Sequence, residues 1–148
     1  MKKKFFIFFI ICLIGLIVFF LGKNLISEEE RVKKTLKIAE ESLEKKELST
    51  FIKQISFEYK DSFGFTYATL YFFVKDILNR YDKIKISLSQ ITPRIEGKEA
   101  EIKLIGEGKA IDFSGNSVRE VGRFIIRMKK EGNRWKIVYF GEDEYSFQ

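Results

Sequence analysis

Residues 118–140 read VREVGRFIIRMKKEGNRWKIVYF, two runs in which apolar and charged side chains alternate around Glu131-Gly132. A period of two is a strand signal, so the stretch predicts a β-hairpin with one apolar face. Pairing Phe124 with Tyr139, Ile126 with Ile137 and Met128 with Trp135 gathers the apolar side chains on one side. The other face then pairs Arg123 with Phe140, Ile125 with Val138 and Arg127 with Lys136. A slip of one residue would set the apolar face against the charged one, so the hydrophobic pattern constrains the register. The expected turn is Lys130-Glu131-Gly132-Asn133, with Gly132 taking the positive φ of a type II third position.

Composition narrows the function classes. The chain has 148 residues, 45% apolar and 16% aromatic with 16 Phe, so a packed core in one domain is expected. The formal charge is +6, but Lys2, Lys3 and Lys4 precede the first apolar run and every acid follows it. The remainder is a mixed surface without the footprint of a nucleic-acid binder. There is no His, which excludes His-based catalysis and His metal sites. The single cysteine, Cys12, lies inside the apolar run, which excludes a disulfide, a zinc cluster and a soluble catalytic thiol. No metal and no cofactor are expected.

Phe5 to Leu21 is an uncharged apolar run of seventeen residues interrupted by Gly15. As a helix it would measure roughly 25 Å, and snorkelling Lys4 and Lys23 could close the gap to a ~30 Å hydrocarbon core. A cleaved signal peptide would carry a shorter run and small residues at its end, which this sequence lacks. The sequence therefore predicts a tail at 1–4, a transmembrane signal-anchor at 5–22, a linker at 23–27 and a domain at 28–148. Three lysines before the run, against Glu28-Glu29-Glu30 after it, predict a cytoplasmic amino terminus. The protein would then be a single-pass protein of the cytoplasmic membrane, its domain outside the cytoplasm.

Ser27 with Glu30 has the form of a capping box, opening a helix whose stripe is Val32, Leu36, Ala39 and Leu43. Ser49 is the expected N-cap of a short second helix carrying Phe51, Ile52 and Ile55. Phe57 to Lys60 alternates as a short strand, and Asp61-Ser62-Phe63-Gly64 ends it with turn chemistry. Thr66 then caps a third helix from Tyr67 to about Tyr81, with an inner stripe of Leu70, Val74, Ile77 and Tyr81. Phe72 and Phe73 widen that stripe, predicting a helix buried on more than one side.

Beyond Asp82 the period changes to two. Ile84, Ile86 and Leu88 define one strand, while Ile91 out of phase and Pro93 predict a bulge on an edge strand. After the Glu96-Gly97 turn, Ala100, Ile102 and Leu104 alternate with charges. Pairing Leu104 with Ile126 and Ile102 with Met128 sets Glu107 against Arg123 and Glu101 against Lys129.

Three helices, a short strand pair before the third, then a meander of four long strands: this order resembles the nuclear-transport-factor-2-like fold of the cystatin-like α+β class. The motifs that carry the likeness are Phe57-Glu-Tyr-Lys-Asp61 with Gly64, and Glu131-Gly-Asn-Arg-Trp135-Lys-Ile137. The resemblance implies an α+β architecture in which a curved, mostly antiparallel sheet wraps the helices into a cone. The family includes isomerases, dehydratases, cyclases and non-catalytic proteins, so fold alone does not name an activity. The resemblance offers Asp61 as an acid/base candidate and Tyr59, Tyr67, Tyr71, Phe113, Trp135 and Tyr139 as lining of a pocket for a small hydrophobic ligand. The competing reading is that these aromatics fill the cone and that Asp61 satisfies turn amides. The family's dehydratase His/Asp pair has no counterpart in a chain without His.

On the outer sheet face the pattern sets Ile105, Ile125, Val138 and Phe140 among Arg123 and Arg127, a candidate interface for a second copy or an envelope protein. Taken together, the residues favour a membrane-anchored binding or scaffolding module without catalytic activity. A hydrophobic-ligand binder or isomerase-like enzyme using Asp61 is the alternative.

Overall fold

The computed structural model describes residues 11–18 and 26–144. Residues 11–18 are helical. The rest of the apolar run, and so most of the expected anchor, lies outside the described residues. Among the described residues no helix is long and apolar enough to cross a membrane.

The domain runs α1 (Glu28–Glu44), α2 (Leu48–Ile52), α3 (Tyr67–Arg80), β1 (Tyr81–Glu96), β2 (Glu99–Asp112), β3 (Ser117–Glu131) and β4 (Arg134–Glu142). The four strands form one antiparallel meander in the order β1-β2-β3-β4. This is the expected α+β architecture.

Helix α1 starts as predicted, with the Ser27 hydroxyl accepting from the Glu30 N–H at 3.2 Å. Its stripe of Val32, Leu36 and Ala39 is buried against the inner face of the sheet. Helix α2 starts earlier than a Ser49 cap predicts: Glu47 is the cap residue and Ser49 lies inside the helix. Helix α3 begins after Thr66, whose N–H donates to the Thr69 hydroxyl at 2.8 Å. Its buried residues are Leu70, Val74 and Leu78, whereas Phe72 and Phe73 are exposed. The expectation of burial on several sides fails because, among the described residues, no second layer covers α3. Its outer aromatics meet other rings instead, Phe72 with Tyr71 and Phe73 with Phe65 of the preceding loop.

The observed registers differ from the predicted ones by informative amounts. In the β2–β3 pair Ile102 faces Ile126 and Leu104 faces Phe124, two residues from the prediction. An even shift preserves the faces, so the buried set survives. The charge pairs move with it: Glu101 faces Arg127, with an ion pair at 3.2 Å, and Glu107 meets Arg119 at 2.9 Å. The β3–β4 turn lies one residue further along than expected, with Glu131 facing Arg134 across Gly132-Asn133. Gly132 has φ +60° at the first central position, where a type II′ turn favours glycine. Gly97 does the same at φ +61° between Glu96 and Glu99.

Beyond that turn Met128 faces Ile137, and a bulge at Val138 then sets Arg127 against Tyr139 and Ile126 against Phe140. The extra residue inverts the faces. Phe140, expected outside, therefore packs inward, stacked on Phe124 at 4.9 Å. Tyr139, expected inside, lies under the Arg127 guanidinium at 4.8 Å. A second bulge, in β1 between Ser89 and Thr92, falls where Ile91 and Pro93 predict one. It lets Ile84 and Leu88 before it, and Ile91 and Ile95 after it, all reach the core.

Phe124 also explains two glycines. Gly106 and Gly122 face each other across β2 and β3, and a Cβ on Gly122 would lie 2.8 Å from the Phe124 ring. The ring lies flat on bare backbone there.

Candidate functional site

Three places in the domain carry candidate chemistry, and Asp61 is the first. The chain from Gln54 to Ser62 lies along β4. Ser56 N–H donates to the Ile137 carbonyl at 2.9 Å, and Lys60 N–H donates to the Val138 carbonyl at 3.1 Å. This arrangement replaces the strand expected at 57–60, where ladder pairing is reduced to single bridges, Ile55 with Ile137 and Lys60 with Thr66. At the end of the segment Asp61 Oδ1 accepts from the N–H groups of Phe63 and Phe65 at 2.9 and 2.8 Å. Its Oδ2 accepts from the Tyr59 hydroxyl at 2.8 Å. Burial, reinforced by the Asp61 carboxylate, raises the Tyr59 phenol well above its ordinary pKa, so Tyr59 is a neutral O–H donor.

The Asp112 loop repeats this construction. Asp112 Oδ1 accepts from Ser114 and Asn116 N–H at 2.8 and 2.9 Å, and Oδ2 accepts from the Asn116 amide at 3.0 Å. These bonds, the Asn116 amide first, lower the Asp112 pKa. In both loops the Gly three residues on donates to the aspartate carbonyl and takes a positive φ, +88° at Gly64 and +86° at Gly115. Asp-x-x-Gly-x is thus one loop used twice, and Asp61 holds its turn as Asp112 does.

The six expected pocket aromatics fall in several places, although Tyr59 and Tyr139 lie close enough to influence each other electrostatically. Tyr59 and Trp135 are buried in the core, and the Trp135 indole N–H donates to Glu28 at 2.7 Å. Tyr67 leans on Phe57 with ring centres 4.6 Å apart, and Tyr71 meets Phe72. Phe113 is exposed at the far β2–β3 loop under Lys46, while Tyr139 sits beneath Arg127. A cleft of about 410 Å³ lies elsewhere, between α1 and β1, lined by Lys33, Leu36, Lys37, Glu40, Ser87, Leu88 and Ile91. Sequence patterns single out none of these residues as a site. The one available signal is Ile91, out of phase with its strand. Among the described residues no three His, Cys, Asp or Glu side chains gather as a metal site.

The outer sheet face is the third place. Ile105 pairs with Arg123, and Ile125 and Val121 are its diagonal neighbours. Ile105 and Ile125 are half-buried, and Val121 is 58% exposed. Val138 is half-buried at the bulge, with Arg123 and Arg127 exposed around the strip. Val121 is an addition to the sequence-derived set, although the same alternation that marks Arg123 and Ile125 places it on their face. Arg119–Glu107–Lys109 and Arg127–Glu101 flank this apolar diagonal with ion pairs of both signs.

No protein-family model matches the sequence, and no curated protein matches it. Solved structures do. A nuclear transport factor 2-like superfamily protein from Salmonella enterica superposes with a TM-score of 0.64 at 16% identity, over 75% of this chain and 87% of that one. A protein provisionally assigned as a scytalone dehydratase from Novosphingobium aromaticivorans gives 0.72 at 12% identity, over 81% and 85%. Bd1075 of Bdellovibrio bacteriovorus gives 0.67 at 17% identity over 79% of this chain, which spans only 40% of that protein. At such identities the likeness speaks for architecture alone. With its helices on the inner face of a bulged antiparallel meander, the domain has the nuclear-transport-factor-2-like fold.

Proposed function

We propose that the protein is a non-catalytic binding module, tethered to the cytoplasmic membrane by residues 5–22 with its domain outside, that self-associates through its outer sheet face. The observation that carries this reading is the diagonal of Ile125, Ile105 and Val121, apolar side chains in regular strands on the face opposite the helices. Acids and bases alternate beside it, so a two-fold axis would bring Glu101 and Glu107 of one copy toward the arginines of the other. The commitment of Asp61 Oδ1 to two turn amides and of Oδ2 to the buried Tyr59 hydroxyl argues against a general base there. Sedimentation of the full chain in detergent micelles tests the reading. The wild type should run as a dimer and Val121→Glu as a monomer, and a strictly monomeric wild type overturns it.

The α1–β1 cleft supports a second reading. Leu36, Leu88 and Ile91 offer an apolar floor and Lys33 and Lys37 a cationic rim, features of a site for a small amphiphile. This is a different place from Asp61. Tight binding of an alkyl carboxylate that Ile91→Trp abolishes would support it, and equal binding by both chains would refute it.

A further inference from the structure

Phe57 is 82% exposed, more than any other large apolar side chain among the described residues. Yet it is not on a loose segment. Its neighbour Ser56 is buried and donates its hydroxyl to Glu131 at 2.5 Å, while Glu58 pairs with Lys129 at 2.8 Å. Two residues on, Tyr59 is buried in the core. The backbone is therefore held from both sides while the ring is presented outward, resting on Tyr67 at 4.6 Å.

The position of this ring in the fold is informative. The residues that hold it, Lys129 and Glu131, flank Lys130, whose ammonium binds Glu28 at 2.9 Å, and Trp135 donates to the same carboxylate. Glu28 is the first residue of α1. Phe57 thus stands at the end of the domain where the chain arrives from the apolar run, beside the Glu131–Arg134 turn. The Gly97 turn is joined to that end through the Lys130 N–H bond to the Lys98 carbonyl at 2.8 Å. Ile26, just before the cap, is 47% exposed, and Lys53, Lys98 and Arg134 are exposed at this end too.

We propose that this turn end lies against the lipid bilayer, with the Phe57 ring seated at headgroup level. The proposal rests on the tether reading. Six residue steps lead from Leu21 to Ser27, and a fully extended chain spans at most about 3.6 Å per residue. The cap therefore stays within roughly 20 Å of the membrane surface. An aromatic ring gains by leaving water for the interface, and neighbouring Lys and Arg suit lipid phosphates. Self-association through the outer sheet face remains compatible with this pose, because that face is a side of the sheet and not its turn end.

Full-length protein in phospholipid vesicles, with Cys12→Ser as background, provides the test. An environment-sensitive fluorophore is attached at Phe57→Cys or, at the opposite end of the sheet, at Ser114→Cys. Both positions are exposed, so labelling leaves the core intact. Nitroxide-bearing lipids should quench the label at 57 several-fold more than the label at 114. Equal quenching at both sites, while the chain resists alkaline carbonate extraction, overturns the surface contact and leaves the tether standing. Carbonate extraction of the whole chain overturns the tether and the contact together. Shielding of the label at 57 that tracks protein density and not lipid quencher would assign Phe57 to a second copy, which also overturns the proposal.

Discussion

The β2–β3 ribbon has two halves that obey the same alternation and differ in what lies above them. Toward the Gly97 and Gly132 turns, Ala100, Ile102, Leu104, Ile126 and Met128 are buried against the α1 and α3 stripes. Toward the Asp112 loop, the inner positions are Gly106, Gly108, Ala110, Val118, Glu120 and Gly122. Val118 on the inner face and Val121 on the outer face are both more than half exposed there. Alternation makes a strand, but only a helix overhead makes a core. The side chains shrink where the helices end, and the Phe124 ring lying on Gly106 and Gly122 marks the boundary.

The hardest test of that contrast is a matched pair of truncations. Ile102→Ala, in the covered half, should cost about 2–5 kcal/mol through lost burial and a cavity. Val118→Ala, on the same inner face in the bare half, should change stability by less than about 0.5 kcal/mol. Urea unfolding measures both, and comparable losses would mean the far half is covered by something else. The boundary can be probed next. Gly122→Ala forces the Phe124 ring away from its seat and should cost about 1–3 kcal/mol, visible as a lower urea midpoint. Gly108→Ala has open space for its Cβ and should be neutral or stabilising by up to about 1 kcal/mol.

The smallest effect concerns the ion cluster that ties α1 to the covered end. The Lys130 ammonium, then the Trp135 N–H, hold the Glu28 carboxyl below its ordinary value of 4.5. A carboxylate depressed in the folded state contributes stability above that ordinary value and loses it as pH falls through the folded one. Glu28→Gln should therefore lower stability by about 0.5 kcal/mol at neutral pH, since the pair is partly solvated. The deficit should shrink as unfolding curves are recorded at pH values falling below the ordinary carboxylate value. A deficit that persists in acid would mean the amide disturbs the helix start instead.

How much of this is legible in the sequence depends on which residues speak for one face only. In β1 the out-of-phase Ile91 and Pro93 announce the bulge, because both sit among polar neighbours. The Val138 bulge leaves no such sign: Ile137 to Phe140 is apolar on both faces, so past Lys136 the pattern fits either phase. That ambiguity exchanges Tyr139 and Phe140. Asp61 is legible as a turn residue through its Gly three positions on, and the parallel Asp112 loop carries the same signature. The α1–β1 cleft is not legible, since it joins a helix to an edge strand far along the chain.

From the chain by itself come the order of the main elements, the α1 stripe, the edge character of β1 and the faces of β2 and β3, because these follow from local periodicity and backbone chemistry. The α3 stripe turns instead through Leu78, with Ile77 half-buried and Tyr81 in β1. Tertiary structure alone decided the absolute registers, the exposure of α3's outer phenylalanines and the placing of Phe57 beside the α1 start. Even-numbered register shifts keep every side chain on its face, so alternation cannot distinguish them. Only the closure of a two-residue turn and the fit of one bulge against the 54–62 segment select among them.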